Sequence, residues 1–239
     1  MGFWQKAAEM RPFFFVFSPT VNIQAIQKIY EASSNPEKAV GMQSYMKNQF
    51  DFLGIQKPRR AEISKPILLW AKTADCEDLM TLCKKLWVLS QREYQYLAME
   101  MMVKGKAWKM KNAIPVLEYF LTEKSWWDTV DMIAAKMVGG YFESYPKEKD
   151  KWLEKWWGSN NLWLQRTCIV FQLTYKEKTD HALLFTFCDE LKTSKEFFIQ
   201  KAIGWALRQY ARTAPNLVLE FVENHNLKPL SKREALKHF

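Results

Sequence analysis

The chain has 239 residues, enough for one large domain or a repeat array, and 48% of them are hydrophobic. Its mean hydropathy of −0.33 excludes a chain made mostly of membrane spans and predicts a soluble protein with ample core material. Lys and Arg number 35 against 26 Asp and Glu, a net charge of +9, which points to a polyanionic partner, nucleic acid before membrane, unless the charge serves solubility alone.

Residues 1–18 close on an apolar run from Phe13 to Phe17. Five residues are too few for a secretory core or a membrane span. The segment is expected to form an arm or first helix ahead of one domain over 19–239. Helical periodicity then takes over. Helices are predicted over 22–32, 36–52, 59–73, 75–88, 91–104, 110–122, 126–140, 147–157, 161–174, 179–191, 195–212, 215–224 and 231–238. Their ends carry helix-boundary chemistry, as at Asn35-Pro36, Ser90, Gly139-Gly140, Ser194 and Ala214-Pro215. Strand-like alternation is nearly absent, and 8 Gly with 9 Pro are too few for an all-β chain. Short helices with short connections describe stacked antiparallel helix pairs. The four cysteines lack CxxC spacing, and the three histidines are scattered. Free thiols, a cytoplasmic location and no structural metal follow as expectations.

An internal period supports the stacking. Ala98, Ala134, Ile169 and Gly204 align at spacings of 36, 35 and 35. A period near 35 with two helices per unit reads as an all-α, HEAT-like repeat solenoid, since the tetratricopeptide signature is missing. Three residues before each aligned position stand Gln95, Asp131, Arg166 and Lys201. Equivalent positions of successive repeats line one surface, here expected to be a concave basic groove. Trp127 lies four residues before Asp131, and Trp205 four after Lys201, so both join that face. The competing reading makes both tryptophans inter-repeat core and Asp131–Arg166 a structural ion pair.

The chain resembles the AlkD-type DNA glycosylases, HEAT-like repeat proteins of bacterial alkylation repair. The resemblance runs from about Asn35 to the end, on Tyr45-Met46-Lys47-Asn48, Phe52-Leu53-Gly54-Ile55, Lys124-Ser125-Trp126-Trp127-Asp128, Trp163-Leu164-Gln165-Arg166 and the twelve residues from Ser194 to Trp205. It implies excision of positively charged N3- and N7-alkylpurines from duplex DNA, without a base-flipping pocket. It places the catalytic carboxylate on Asp131, the two active-site tryptophans on Trp127 and Trp205, the arginine on Arg166 and a DNA-contacting tyrosine on Tyr45. It also implies a short tail beyond Phe239.

A cationic purine is a good leaving group, so catalysis needs stabilisation of a developing sugar cation more than acid assistance. Asp131 suits that task and can orient the attacking water. The faces of Trp127 and Trp205 attract cations, and Arg166 can hold a phosphate or orient Asp131. Lys47, Lys57, Arg59, Arg60, Lys195, Lys201, Arg208 and Arg212 are candidates for backbone grip, with Phe197 and Phe198 as a groove wall. No metal or cofactor is expected, nor any obligate oligomer, so a monomer is anticipated. A HEAT-like protein that holds DNA without chemistry is the alternative, and a protein-interaction solenoid the third reading.

Overall fold

The computed structural model describes residues 21–239; the expected arm over 1–18 lies outside the described residues. The helices are α1 (Ile23–Glu31), α2 (Pro36–Tyr45), α3 (Lys57–Ala71), α4 (Cys76–Trp87), α5 (Arg92–Gly105), α6 (Ile114–Thr122), α7 (Trp127–Met132), α8 (Gly139–Ser144), α9 (Pro146–Gly158), α10 (Leu162–Val170), α11 (His181–Glu190), α12 (Phe197–Ala211), α13 (Pro215–Asn224) and α14 (Pro229–Ala235). Among the described residues there is no strand, only an isolated bridge between Asp51 and Gln91.

Two layers run along the molecule. Helices α3, α5, α7, α10, α12 and α14 pack side by side in succession. A second set backs them, with α4 on α5, α6 on α7 and α10, α9 and α11 on α10, and α13 on α12. This is the helical repeat solenoid that the period of 35 predicts. The layers close on wholly buried aromatics. Trp87 stacks on Phe120 with centroids 4.2 Å apart, and Trp156, Tyr94 and Phe171 are equally inaccessible. Side-chain caps fix several helix starts: Asn22, Asn35, Asp75, Asn161 and Asp180 each accept from backbone N–H groups in the first turn.

Some boundaries depart from the sequence reading. The helix expected over 36–52 stops at Tyr45, because Lys47 and Asn48 both adopt φ of 56°. The residues up to Gln56 form a loop tied to α5. The buried carboxylate of Glu93 accepts from the N–H groups of Leu53, Gly54 and Ile55 at 2.9–3.0 Å. The helix expected to end at Gly140 runs on to Ser144 through a π-helical stretch, Ile133–Val138, that joins α7 to α8. Gly139 is a packing position there and not a stop: a Cβ would meet the Phe171 carbonyl oxygen at 2.4 Å. Residues 111–113 form a 3-10 turn before α6, α10 closes at Val170, and α14 spans 229–235.

One polar cluster stitches α5 to α7. Arg92 is fully buried and bonds both oxygens of Asp128, at 2.6 and 3.0 Å. It also donates to Thr129 Oγ1 and the Lys124 carbonyl, while the Tyr96 hydroxyl donates to Asp128 at 2.7 Å. Asp128→Ala would leave this guanidinium charged, buried and unpaired. It should lower the unfolding free energy by roughly 3–5 kcal/mol, read by urea denaturation. A loss below about 1 kcal/mol would show that Arg92 finds compensation elsewhere.

Candidate nucleic-acid interface

Four helices of the first layer build the site. Trp127 opens α7, and Asp131 follows one turn later on the same face. Arg166 comes from the middle of α10, and Lys201, Trp205 and Arg208 follow one another along α12. With Phe197, Phe198 and Glu234 of α14 they line an open-sided cleft of about 250 Å³. Tyr45, at the end of α2 and 69% exposed, meets the Trp127 ring edge-on with centroids 6.1 Å apart. Both cleft tryptophans are half-buried, unlike Trp87 and Trp156.

Asp131 is the centre of the arrangement. Its oxygens accept from Arg166 Nε at 2.7 Å and Nη2 at 2.9 Å. Arg166 Nη1 donates to the Phe198 carbonyl. The guanidinium side chain is only 5% exposed, so it orients the carboxylate and has no face left for a phosphate. Asp131 keeps 18% of its side chain accessible to the cleft. Each of its oxygens has a second lone-pair direction that Arg166 does not use. Burial pushes the Asp131 carboxyl above the ordinary carboxylate range, while the Arg166 hydrogen bonds and charge pull it back. An acid whose pKa rises on folding stabilises the fold while protonated, and that contribution is lost as pH rises through the folded value. The ionised form therefore costs stability, as is common for functional carboxylates.

Behind the cleft, Trp126 packs against Trp163 and Phe198, with centroids 5.7 and 5.1 Å away. Trp126 thus belongs to the wall, while its neighbour Trp127 faces the opening. Phe198 serves that wall, and Phe197 stays 57% exposed at the rim.

The other expected basic contacts divide. Lys47, Lys57 and Lys195 are exposed, and Arg59 is exposed but paired with Glu62 at 2.9 Å. Arg60 is buried, bonded to Glu100 at 3.0 Å and set over the Tyr96 ring, so it braces α3 on α5; it borders a separate hollow with Tyr45 and Lys57 and stays out of the Asp131 cleft. Arg212 lines a separate cavity beside Gln172 and Tyr210. Gln95 does not join the expected ladder: it is fully buried, and its amide donates to the Trp87 and Leu89 carbonyls at 2.9 Å. Lys201 and Arg208 both bind Glu234, which they hold down to a pKa of about 2, chiefly through the Arg208 hydrogen bond. Sequence reading does not single out Glu234. Its neighbours Lys232 and Arg233 make it look like any solvated helix charge, and only the docking of α14 on α12 brings it into the cleft.

Cys83, Cys168 and Cys188 are buried free thiols, and burial pushes each thiol well up. Among the described residues, no group of three or more His, Cys, Asp or Glu side chains is placed to hold a metal ion. No helix among them is long and apolar enough to cross a membrane.

The comparisons with known proteins point one way. The model of a family described as DNA alkylation repair enzyme matches residues 26–239. Among solved structures, a predicted DNA alkylation repair enzyme from Enterococcus faecalis is 35% identical, with a TM-score of 0.81 over 87% of this chain and 97% of that one. No curated protein gives a significant match.

The opposing influences on Asp131 can be separated by carboxyl-carbon NMR titration. The wild-type midpoint should lie above about 3.9, the value of a free Asp. Arg166→Gln should move it further up, since the guanidinium is what lowers it. A midpoint unmoved by that change would mean the pair has no electrostatic hold on the carboxylate.

Proposed function

Because the chain belongs to the DNA alkylation repair enzyme family, a role in DNA repair is its premise, and we propose that it acts as a monofunctional glycosylase on N3- and N7-alkylpurines of duplex DNA. One observation carries this reading: a carboxylate oriented by a buried arginine, still open to a cleft walled by two tryptophans. A surface that only gripped phosphate would be weakened by a carboxylate whose acceptor capacity is left open to it, as it is on Asp131.

In the proposed reaction the bond between sugar C1′ and the purine nitrogen breaks first. Its electron pair goes to the alkylated base, which leaves neutral. The positive charge passes to the sugar as an oxocarbenium ion. Asp131, held by Arg166, faces that charge in a pocket that excludes part of the water, where a fixed anion stabilises the transition state most. The rings of Trp127 and Trp205 add roughly 0.5–2 kcal/mol each through their electron-rich faces. A water then attacks C1′, and its proton passes to Asp131 or to solvent, leaving an abasic site. Tyr45 and the exposed Lys47, Lys57 and Lys195 are assigned to the backbone around the lesion, with Lys201 and Arg208 inside the cleft. An open-sided cleft supports recognition without extruding the base into a closed pocket.

Release of free base from duplex DNA carrying N7-methylguanine tests the proposal. Asp131→Asn should lower the single-turnover rate by about 100-fold or more while binding to abasic DNA persists. Trp127→Ala should slow release by about tenfold with its thermal transition intact. Release by neither wild type nor variant, with salt-sensitive DNA binding retained, would instead assign a non-catalytic DNA-binding solenoid.

A further inference from the structure

Among the described residues, Glu234 is the one charged residue of the cleft with no part in the chemistry above. It reaches the cleft because α14 lies unusually close to α12. At Gly204 an added Cβ would stand 2.4 Å from the Glu234 Cβ and 2.8 Å from the Ser231 carbonyl oxygen. A side chain there would push α14 away. The close approach lets one carboxylate bridge two cations of α12. Lys201 Nζ lies 3.1 Å from Oε1, and Arg208 Nη1 lies 2.7 Å from Oε2. Arg208 Nη1 also donates to the Glu234 carbonyl at 3.1 Å.

The placement of the two cations is regular. Lys201 stands one turn before Trp205 and Arg208 one turn after it, so the three share a face. We propose that Glu234 is a positioning residue that holds Lys201 and Arg208 as a fixed pair of phosphate donors bracketing Trp205. This rests on reading the cleft as a duplex DNA site.

The exposure gradient argues for a frame and against a plug. Lys201 is 37% exposed, Arg208 20% and Glu234 12%. The carboxylate therefore lies beneath its cations, whereas an anion standing in for a phosphate would lie above them. Among the described residues, Arg208 Nε and Nη2 have no protein acceptor, so the guanidinium keeps a free edge for a phosphate oxygen. Two cations on one half-buried anion keep a positive balance, and each loses side-chain freedom before DNA arrives. Ordering long side chains in advance removes part of the entropy that binding would otherwise lose.

The sign of one substitution separates the two roles. Binding is measured to a duplex with a tetrahydrofuran abasic analogue, across a salt series, with single-turnover release of N7-methylguanine alongside. Glu234→Gln adds a unit of positive charge and should nonetheless weaken binding about tenfold, the loss of one charge-assisted hydrogen bond. It should also make the salt dependence shallower by about one unit of slope. Glu234→Asp, which keeps the anion one methylene short, should fall between and carries the comparison if the Gln variant folds poorly. In a Lys201→Met, Arg208→Met background, Glu234→Gln should change binding no further. Tighter binding or a steeper slope in Glu234→Gln would overturn the proposal in favour of a competing anion. An undiminished effect in the double-Met background would reduce Glu234 to a helix-docking role. Absence of wild-type binding to either duplex would instead overturn the DNA reading itself.

Discussion

The cleft depends on a guanidinium that crosses from α10 to α7 below the surface. Arg166 fixes both oxygens of Asp131 and the end of the α12 approach at Phe198, so three consecutive helices of one layer are tied through one planar group. A lysine could not do this, since a point charge on a flexible stem fixes neither the plane nor two oxygens at once. Helix α7 is held in the same manner on its other side. Asp128, one turn before Asp131, is gripped by Arg92 of α5. A short helix between two guanidinium forks has little freedom to rotate, and its rotation is what would move Asp131 and Trp127.

The two pairs look alike and differ in what remains. Asp128 is bonded by Arg92 and Tyr96 and is 7% exposed. Asp131 has Arg166 alone and more than twice that exposure. The first carboxylate is fully committed to the fold. The second is committed for orientation only, and its remaining acceptor capacity faces the cleft. The two carboxylates of one sequence stretch are thereby sorted by partners and burial, although they are three residues apart on similar ground.

Much of this was legible in the chain and part was not. The period of 35 and the helical spacing of Trp127, Asp131, Arg166 and Trp205 brought those four residues to one surface before any coordinates, because repeats convert sequence offset into spatial adjacency. The same rule failed for Gln95. Its position is equivalent in register, but the end of α4 and the turn after it, Leu86 to Leu89, present free carbonyls beside it, and the amide turned inward to satisfy those groups. Arg60 stays out of the Asp131 cleft for a similar reason, an acid on the neighbouring helix 40 residues away. The break of α2 at Lys47 had no Pro or Gly to announce it. It is closed by left-handed Lys47 and Asn48, with the Asn48 N–H on the Gln43 carbonyl, while the loop beyond is held by Glu93 filling three distant backbone donors, which no local pattern encodes. The π-helical stretch after α7 has no local signal either, and Gly139, which follows it, is fixed by its close approach to the Phe171 carbonyl.

Arg92 and Glu93 are consecutive, and each holds one jaw of the same opening. Arg92 anchors α7, which bears Trp127, and Glu93 anchors the loop that leads from Tyr45 to Lys57. The two aromatic tips that face each other at the mouth are therefore mounted on one rigid peptide link inside α5. Such a mounting sets the two rings against each other at folding. Their edge-on contact leaves no gap between Tyr45 and Trp127, so the pair forms a fixed corner that closes one side of the opening.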